Sequence, residues 1–199
     1  MDQIISINTL IYQGYDLPTT LREISGLGTM YVELAFTMGY SLGLKEENFS
    51  EKNAQRIRGM LSDFGLSTVA LAGHMDLGKL DSVTPFKKRM EFAKAVGTRI
   101  VHTNACRLSD QNHFFKNIEE LSAFAESLDI LIALENPGDG EDNLISSGKT
   151  GASVIQKIGS DYIRLNYDFG NTFIYSKGKI RPEEDYKVAL PFSAHFHLK

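Results

Sequence analysis

Polar side chains that could bind a metal ion or transfer a proton stand where short apolar runs of this sequence end. The run Leu131–Leu134 ends in Glu135, and glycines then force a loop. Asp168 ends a second such run, and His195 and His197 alternate with apolar residues in the last one. Carboxylates and imidazoles bind divalent cations, and both can act as general bases. We therefore expect chemistry where the ends of these runs meet.

The composition favours a small polar ligand over nucleic acid or a membrane. The net charge is -4 and no basic run is present to meet phosphates. No apolar stretch is long enough to cross a bilayer, and the amino terminus lacks the pattern of a signal peptide, so we expect a cytoplasmic protein. Cys106 is the only cysteine, which excludes an internal disulfide and favours a packed thiol.

Strands and amphipathic helices alternate along the chain, with strand starts about 30 residues apart, the spacing of a (β/α)8 TIM barrel. Helices are predicted after Asp16, after Ser50 and from Thr84 onward, and three more follow. The predicted strands are Ile4–Leu10, Tyr31–Phe36, Ser67–Gly73, Arg99–Asn104, Leu131–Glu135, Tyr162–Asp168 and Ser193–Lys199. We therefore predict an α/β barrel that is truncated after strand seven and forms one domain over residues 1–199.

Alternation within the strands separates a barrel from a flat doubly wound sheet. In the second strand Glu33 and Ala35 oppose an apolar face, and in the seventh His195, His197 and Lys199 do the same. A doubly wound sheet needs apolar residues on both faces, because helices cover both. The pattern favours a barrel with a polar interior mouth.

Motifs at four strand ends resemble those of the xylose isomerase-like TIM-barrel superfamily. The chain is most similar to its sugar phosphate isomerase/epimerase group, and endonuclease IV is a more distant relative. The motifs are Val32-Glu33-Leu34, Leu134-Glu135-Asn136-Pro137, Asn166-Tyr167-Asp168-Phe169-Gly170-Asn171 and His195-Phe196-His197-Leu198-Lys199. The resemblance runs from strand one to the last residue and implies the TIM-barrel fold.

The resemblance also implies a site for one divalent metal ion. In the family a Glu on strand five, an Asp on strand six, a His on strand seven and a Glu on strand eight hold the ion. The first three map onto Glu135, Asp168 and His197, and the fourth has no counterpart, which predicts weak metal binding and low turnover. This ligand set suits Mn2+, Mg2+, Co2+ or Zn2+.

Such an ion would stabilise an enediolate formed from an α-hydroxy carbonyl compound, while Glu135 removes the adjacent proton. The expected function is a metal-dependent isomerase or epimerase of a sugar, a sugar phosphate or a related polyol. Structural roles compete with these assignments, since Glu135 could cap the following loop and Asp168 could form an Asx turn.

Seven further residues are candidates for substrate binding. By family position Glu33 would help to hold the substrate. The alternatives are a loop role for His74, a core role for His102, a turn role for Asn171, interior packing for His195 and a solvated end for Lys199. The full set of candidates is Glu33, His74, His102, Asn104, Asn171, His195 and Lys199.

Two other functions remain open. An endonuclease IV-like phosphodiesterase is disfavoured because basic loops and a larger ligand set are lacking. A catalytically incompetent barrel could act by binding or assembly only. The missing strand would leave two sheet edges open, which predicts a homo-oligomer through those edges. The expected partner is otherwise a small sugar-like molecule, with no nucleic acid and no membrane.

Overall fold

Seven parallel strands lie side by side in chain order in the computed structural model, which describes residues 3–41 and 43–199. In the described residues β1 and β7 each pair with one neighbour only. The strands are β1 Ile7–Asn8, β2 Tyr31–Ala35, β3 Ser67–Ala72, β4 Ile100–Asn104, β5 Leu131–Glu135, β6 Ile163–Asp168 and β7 Ser193–His197. The predicted TIM-barrel class is confirmed, with the sheet open between β1 and β7.

Helices connect consecutive strands from β1 to β7, apart from short 3-10 turns. They are α1 Leu17–Gly26, α2 Glu51–Asp63, α3 Val83–Val96, α4 Gln111–Leu128, α5 Gly148–Ile158, α6 Phe169–Tyr175 and α7 Pro182–Ala189. Asp16 caps α1 by accepting from the Thr19 N–H at 2.8 Å, and Ser50 caps α2. Gly97, with a φ of 104°, ends α3 in the left-handed conformation that glycine adopts without strain.

The structure differs from the prediction at one strand and one helix. The strand predicted over Ile4–Leu10 is only Ile7–Asn8, because the Asn8 side chain accepts from the Leu10 N–H at 2.7 Å and starts a 3-10 turn. The structure also has the short helix α6 directly after Asp168, in addition to the six predicted helices, and the Asp168 side chain caps it. The helix turns the chain sharply at the end of β6.

The two faces of the strands have different surroundings. The apolar residues of alternating positions, such as Val32, Leu71 and Ile132, are fully buried under the helices. The intervening positions carry polar side chains that are also buried, including Glu33 and His102. The fold therefore collects polar groups on the inner side of the sheet. No helix among residues 3–41 and 43–199 combines the length and hydropathy needed to span a membrane.

Candidate metal and catalytic site

Three strand ends bring two carboxylates and an imidazole together at the C-terminal side of the sheet. The register pairs Asp168 with His197 and Glu135 with Asn166. Potential ligand atoms of Glu135, Asp168 and His197 all lie within 4.8 Å of one another. His197 Nδ1 is 3.4 Å from Glu135 Oε2 and 3.5 Å from Asp168 Oδ2. These three side chains can reach one small cation.

Glu135 is held by side-chain amides rather than by the loop that follows it. Asn166 Nδ2 donates to Oε2 at 2.9 Å, and Asn171 Nδ2 donates to Oε1 at 3.0 Å. Burial opposes ionisation, but hydrogen bonds from His102 and His197 keep the pKa of Glu135 well below its usual value. The carboxylate is therefore ionised at neutral pH and can accept a proton.

Asp168 divides its two carboxylate oxygens between a structural and a site-facing position. Oδ1 accepts from the Asn171 N–H at 2.7 Å and caps α6. Oδ2 is buried, and its neighbours in the described residues are cationic groups, with Lys199 Nζ 2.7 Å away and His197 Nδ1 3.5 Å away. The turn and the ligand interpretations of Asp168 are thus compatible, because each uses a different oxygen.

Asn136 and Asn166 are polar residues of the site that the sequence reasoning did not select. Asn136 Nδ2 donates to the Asp168 carbonyl at 3.0 Å, and its Oδ1 accepts from the Asp168 N–H at 2.9 Å. Asn166 orients Glu135. Both could have been found, since Asn136 follows Glu135 directly and Asn166 shares the inner face with Asp168.

Glu33 lies at the centre of a cluster of imidazoles. His102 Nε2 is 3.0 Å from Oε1 and His195 Nε2 is 2.6 Å from Oε2, while Asn8 Nδ2 also donates to Oε1. His197 Nε2 is 3.2 and 3.1 Å from the two oxygens. Burial opposes ionisation, but the charge of His102 and hydrogen bonds from the imidazoles keep the pKa of Glu33 well below its usual value.

The charge of His197 follows from these carboxylates. Burial favours the neutral ring, but hydrogen bonds to Asp168, Glu135 and Glu33 raise the pKa of His197 to about 12. His197 is therefore an imidazolium in the metal-free protein. A divalent cation bound beside His197 would replace the imidazolium charge in neutralising these carboxylates.

The other predicted substrate-binding residues surround this centre at different depths. His74 Nε2 is 3.7 Å from Glu135 Oε2, and burial lowers the pKa of His74 to about 4, so its ring is neutral. Asn104 ends β4, is half-buried and stands opposite Glu135 in the register. The Lys199 side chain is 53% exposed. His74 therefore lies beside Glu135, Asn104 stands opposite it in the sheet, and Lys199 lies beside Asp168.

The residue types fit a divalent cation. Asp168 Oδ2 is a buried carboxylate oxygen whose close neighbours are the cationic Lys199 and His197 side chains, and a bound cation would supply the same kind of charge compensation. Carboxylate and imidazole ligands suit Mn2+, Mg2+, Co2+ and Zn2+. Two overlapping groups of ligand atoms also lie within 4.8 Å, namely Glu33–His102–His197 and His74–His102–Glu135.

The chain is similar to known proteins in sequence family and in fold. Residues 21–199 match a family model described as xylose isomerase-like TIM barrel. A probable 3-DHS dehydratase from Bacillus anthracis, involved in petrobactin synthesis, is 15% identical with a TM-score of 0.77, over 99% of this chain and 73% of that one. No protein among the curated ones matches the sequence.

Two more solved structures show the same likeness. A xylose isomerase-like TIM-barrel protein from Mycobacterium smegmatis, in complex with magnesium, is 18% identical with a TM-score of 0.79, over 98% of this chain and 74% of that one. A D-psicose 3-epimerase from Clostridium cellulolyticum, solved with D-tagatose, is 12% identical with a TM-score of 0.75. The match covers 96% of this chain and 71% of that one. At these identities the likeness concerns the fold.

Proposed function

Since the chain belongs to the xylose isomerase-like TIM-barrel family, we propose that it is a divalent-metal-dependent isomerase or epimerase of a sugar, a sugar phosphate or a related polyol. The observation that carries this proposal is the convergence of Glu135, Asp168 and His197 within 4.8 Å. They meet at the C-terminal ends of adjacent parallel strands, where TIM-barrel enzymes have their active sites.

The cation would be held by Asp168 Oδ2, His197 Nδ1 and Glu135 Oε2. His197 Nδ1 lies 3.4 Å from the Glu135 oxygen and 3.5 Å from the Asp168 oxygen. When bound, the ion supplies Lewis-acid stabilisation of negative charge on a substrate oxygen. The capping bond from the Asn171 N–H to Asp168 Oδ1 fixes the carboxylate plane, so that Oδ2 stays directed to the centre.

Glu135 is the general base in this proposal. The amides of Asn166 and Asn171 fix its orientation, and its depressed pKa keeps it ionised. It takes a proton from the carbon beside the substrate carbonyl and becomes a carboxylic acid. For isomerisation the same carboxyl returns this proton to the neighbouring carbon, while the hydroxyl proton passes to the former carbonyl oxygen through solvent. Epimerisation needs a second acid on the opposite face of the substrate.

The first experiment is a calorimetric titration of metal-free protein with Mn2+, Mg2+, Co2+ and Zn2+. A panel of aldoses, ketoses and their phosphates is then incubated in deuterated water. Incorporation of deuterium beside the carbonyl reports proton transfer even when turnover is slow. Protein that binds none of these ions would reject the proposed function.

Glu135→Gln tests the base, since it nearly preserves volume but cannot take a proton. We expect deuterium incorporation to fall by about 100-fold or more, with an unchanged circular dichroism spectrum. The matched control is Glu119→Gln at an exposed position of α4, which should leave incorporation unchanged. Incorporation at the wild-type rate in Glu135→Gln would exclude the base role.

A second candidate function is metal-dependent phosphodiester cleavage. One observation favours it. Glu135 belongs both to the His74–His102–Glu135 group and to the Glu135–Asp168–His197 group, so it could bridge two ions as a carboxylate does in a two-metal centre. The net charge of -4 disfavours a DNA substrate. Metal stoichiometry discriminates between the two, because two ions per chain together with cleavage of a phosphodiester would favour the second function.

A further inference from the structure

The Glu33 side chain is deeply buried, and both of its carboxylate oxygens already have polar partners. Its relative exposure is 2%, and both oxygens are within hydrogen-bond distance of imidazole nitrogens. Asn8 Nδ2 donates to Oε1 as well. A substrate hydroxyl could reach Glu33 only by displacing one of these partners. Its contacts instead join β2 to β4 and β7 across the inner side of the sheet.

The two ring nitrogens of His197 face different surroundings. Nε2 lies 3.2 and 3.1 Å from the oxygens of Glu33. Nδ1 lies 3.4 Å from Glu135 Oε2 and 3.5 Å from Asp168 Oδ2. A hydrogen bond from one nitrogen of a histidine to a carboxylate fixes both the tautomer and the ring orientation at the other nitrogen.

Asn166 does not determine which ring nitrogen of His197 is protonated. Its Nδ2 is 3.3 Å from Nδ1 and 3.4 Å from Nε2, so it is almost equidistant from the two. The same amide already donates to Glu135 at 2.9 Å. Among the neighbours of His197 in residues 3–41 and 43–199, only Glu33 contacts Nε2 without contacting Nδ1.

We propose that Glu33 is a positioning residue for the metal ligand His197, accepting from its Nε2–H so that Nδ1 faces Glu135 and Asp168. This inference rests on the proposed function, and it replaces the substrate-binding role expected for Glu33. On metal binding, His197 Nδ1 would release its proton to solvent and become the ligand atom, and the ring would keep its Nε2 proton. Carboxylates that support a ligating histidine in this way typically contribute about 10- to 100-fold to metal affinity.

The direct test uses the unchanged protein labelled with 15N at histidine, and it follows the ring nitrogens by long-range proton–nitrogen correlation as Zn2+ is added. Zn2+ is chosen because it is diamagnetic. We expect the Nδ1 resonance of His197 to move on binding, while Nε2 stays protonated. Coordination through Nε2 would overturn the inference and would favour the Glu33–His102–His197 group as the site.

A variant gives an independent measurement. Glu33→Gln keeps the side-chain volume but removes the charge, and we expect Zn2+ affinity to fall by about 10- to 100-fold. Glu119→Gln, exposed on α4, serves as the matched control and should bind as the wild type does. Because Glu33 is buried, circular dichroism first establishes whether the variant is folded. If the variant is unfolded, the NMR titration of the wild-type protein decides the question.

The outcomes separate the two proposals. Wild-type protein that binds no metal would reject the proposed function and, with it, this inference. Wild-type protein that binds Zn2+ through Nδ1, together with a folded Glu33→Gln variant of equal affinity, would leave the function standing and reject the role of Glu33.

Discussion

Three almost fully buried carboxylates, Glu33, Glu135 and Asp168, share the inner side of the sheet with imidazoles. Burying a charge is costly unless it is paired and hydrogen-bonded. Here the charge of His197 and the amides of Asn166 offset part of that cost. Such concentrations of buried titratable groups with shifted pKa values are characteristic of functional sites. Substitutions that preserve shape but remove charge are therefore the informative ones.

Asp168→Asn should separate the structural from the functional role of Asp168. Asparagine caps a helix about as well as aspartate, so α6 should be retained, but the anionic Oδ2 is lost. We expect metal affinity to fall by at least about tenfold, at a melting temperature near that of the wild type, as measured by calorimetry. Asp168→Ala should additionally lose the cap and about 1 kcal/mol of stability. Wild-type metal affinity in Asp168→Asn would exclude Asp168 as a ligand.

Cys106 should be unreactive in the native protein. Burial, together with the nearby charges of Asp76 and Asp110, raises the pKa of its thiol to about 12. At about pH 8 the thiolate fraction is then on the order of 0.01%, and only the thiolate attacks a disulfide reagent. We expect a native reaction with Ellman's reagent that is at least about 100-fold slower than in guanidinium chloride. Equal rates would show that the thiol is accessible.

At the scale of secondary-structure elements, the helices after β5 and β6 hold each other close beside the site. The Gly148 N–H at the start of α5 donates to Asp185 Oδ2 of α7 at 2.5 Å, and Tyr167 of β6 donates to the same oxygen at 3.0 Å. A negative charge at a helix N-terminus is favourable. Asp185 therefore ties α5 and α7 to the strand that ends in Asp168.

The close approach of α5 and α7 predicts opposite effects for two glycine substitutions. A Cβ at Gly148 would overlap the Asp185 carbonyl, whereas one at the exposed helical Gly59 meets nothing within 4 Å. We expect Gly148→Ala to lower the free energy of unfolding by about 1–3 kcal/mol. Gly59→Ala should raise it by roughly 0.4–1 kcal/mol. Urea unfolding measures both, and a neutral Gly148→Ala would show that the helices can separate without cost.

At the scale of the whole molecule, both edges of the sheet are unpaired in the described residues. In the part of the chain that the structure describes, β1 and β7 each lack a second neighbour. Apolar residues next to these strands are strongly exposed, including Ile5 at 79% and Leu198 at 80%. Unpaired strand edges beside apolar surface favour pairing with another chain.

We therefore predict that the 199-residue chain self-associates through the edges of β1 and β7. Sedimentation velocity in the micromolar range should show an average mass that rises with protein concentration. Ile5→Lys should weaken this association, because it places a charge beside the edge of β1. Leu80→Lys is the matched control, since Leu80 is equally exposed but lies between β3 and α3. A monodisperse monomer at all concentrations would contradict the prediction.

The sequence by itself determined the order of the elements and the side of each strand that faces inward. Alternation is a local property, so Glu33, Glu135 and His197 could be assigned to the inner face from their neighbours alone. The helix starts after Asp16 and Ser50 were also readable, because an N-cap involves residues only three positions apart.

Only the tertiary structure decided which inward-facing groups touch. Contacts between Glu33 and His197 depend on the register of strands far apart in the chain, and that register shifts between Val32 and Glu33 and between Leu165 and Asn166. Such irregularities leave no reliable trace in local periodicity, although each one changes the inner-face partners of every later residue in the strand. The positioning role proposed for Glu33 therefore rests on packing across the sheet, which local periodicity does not reveal.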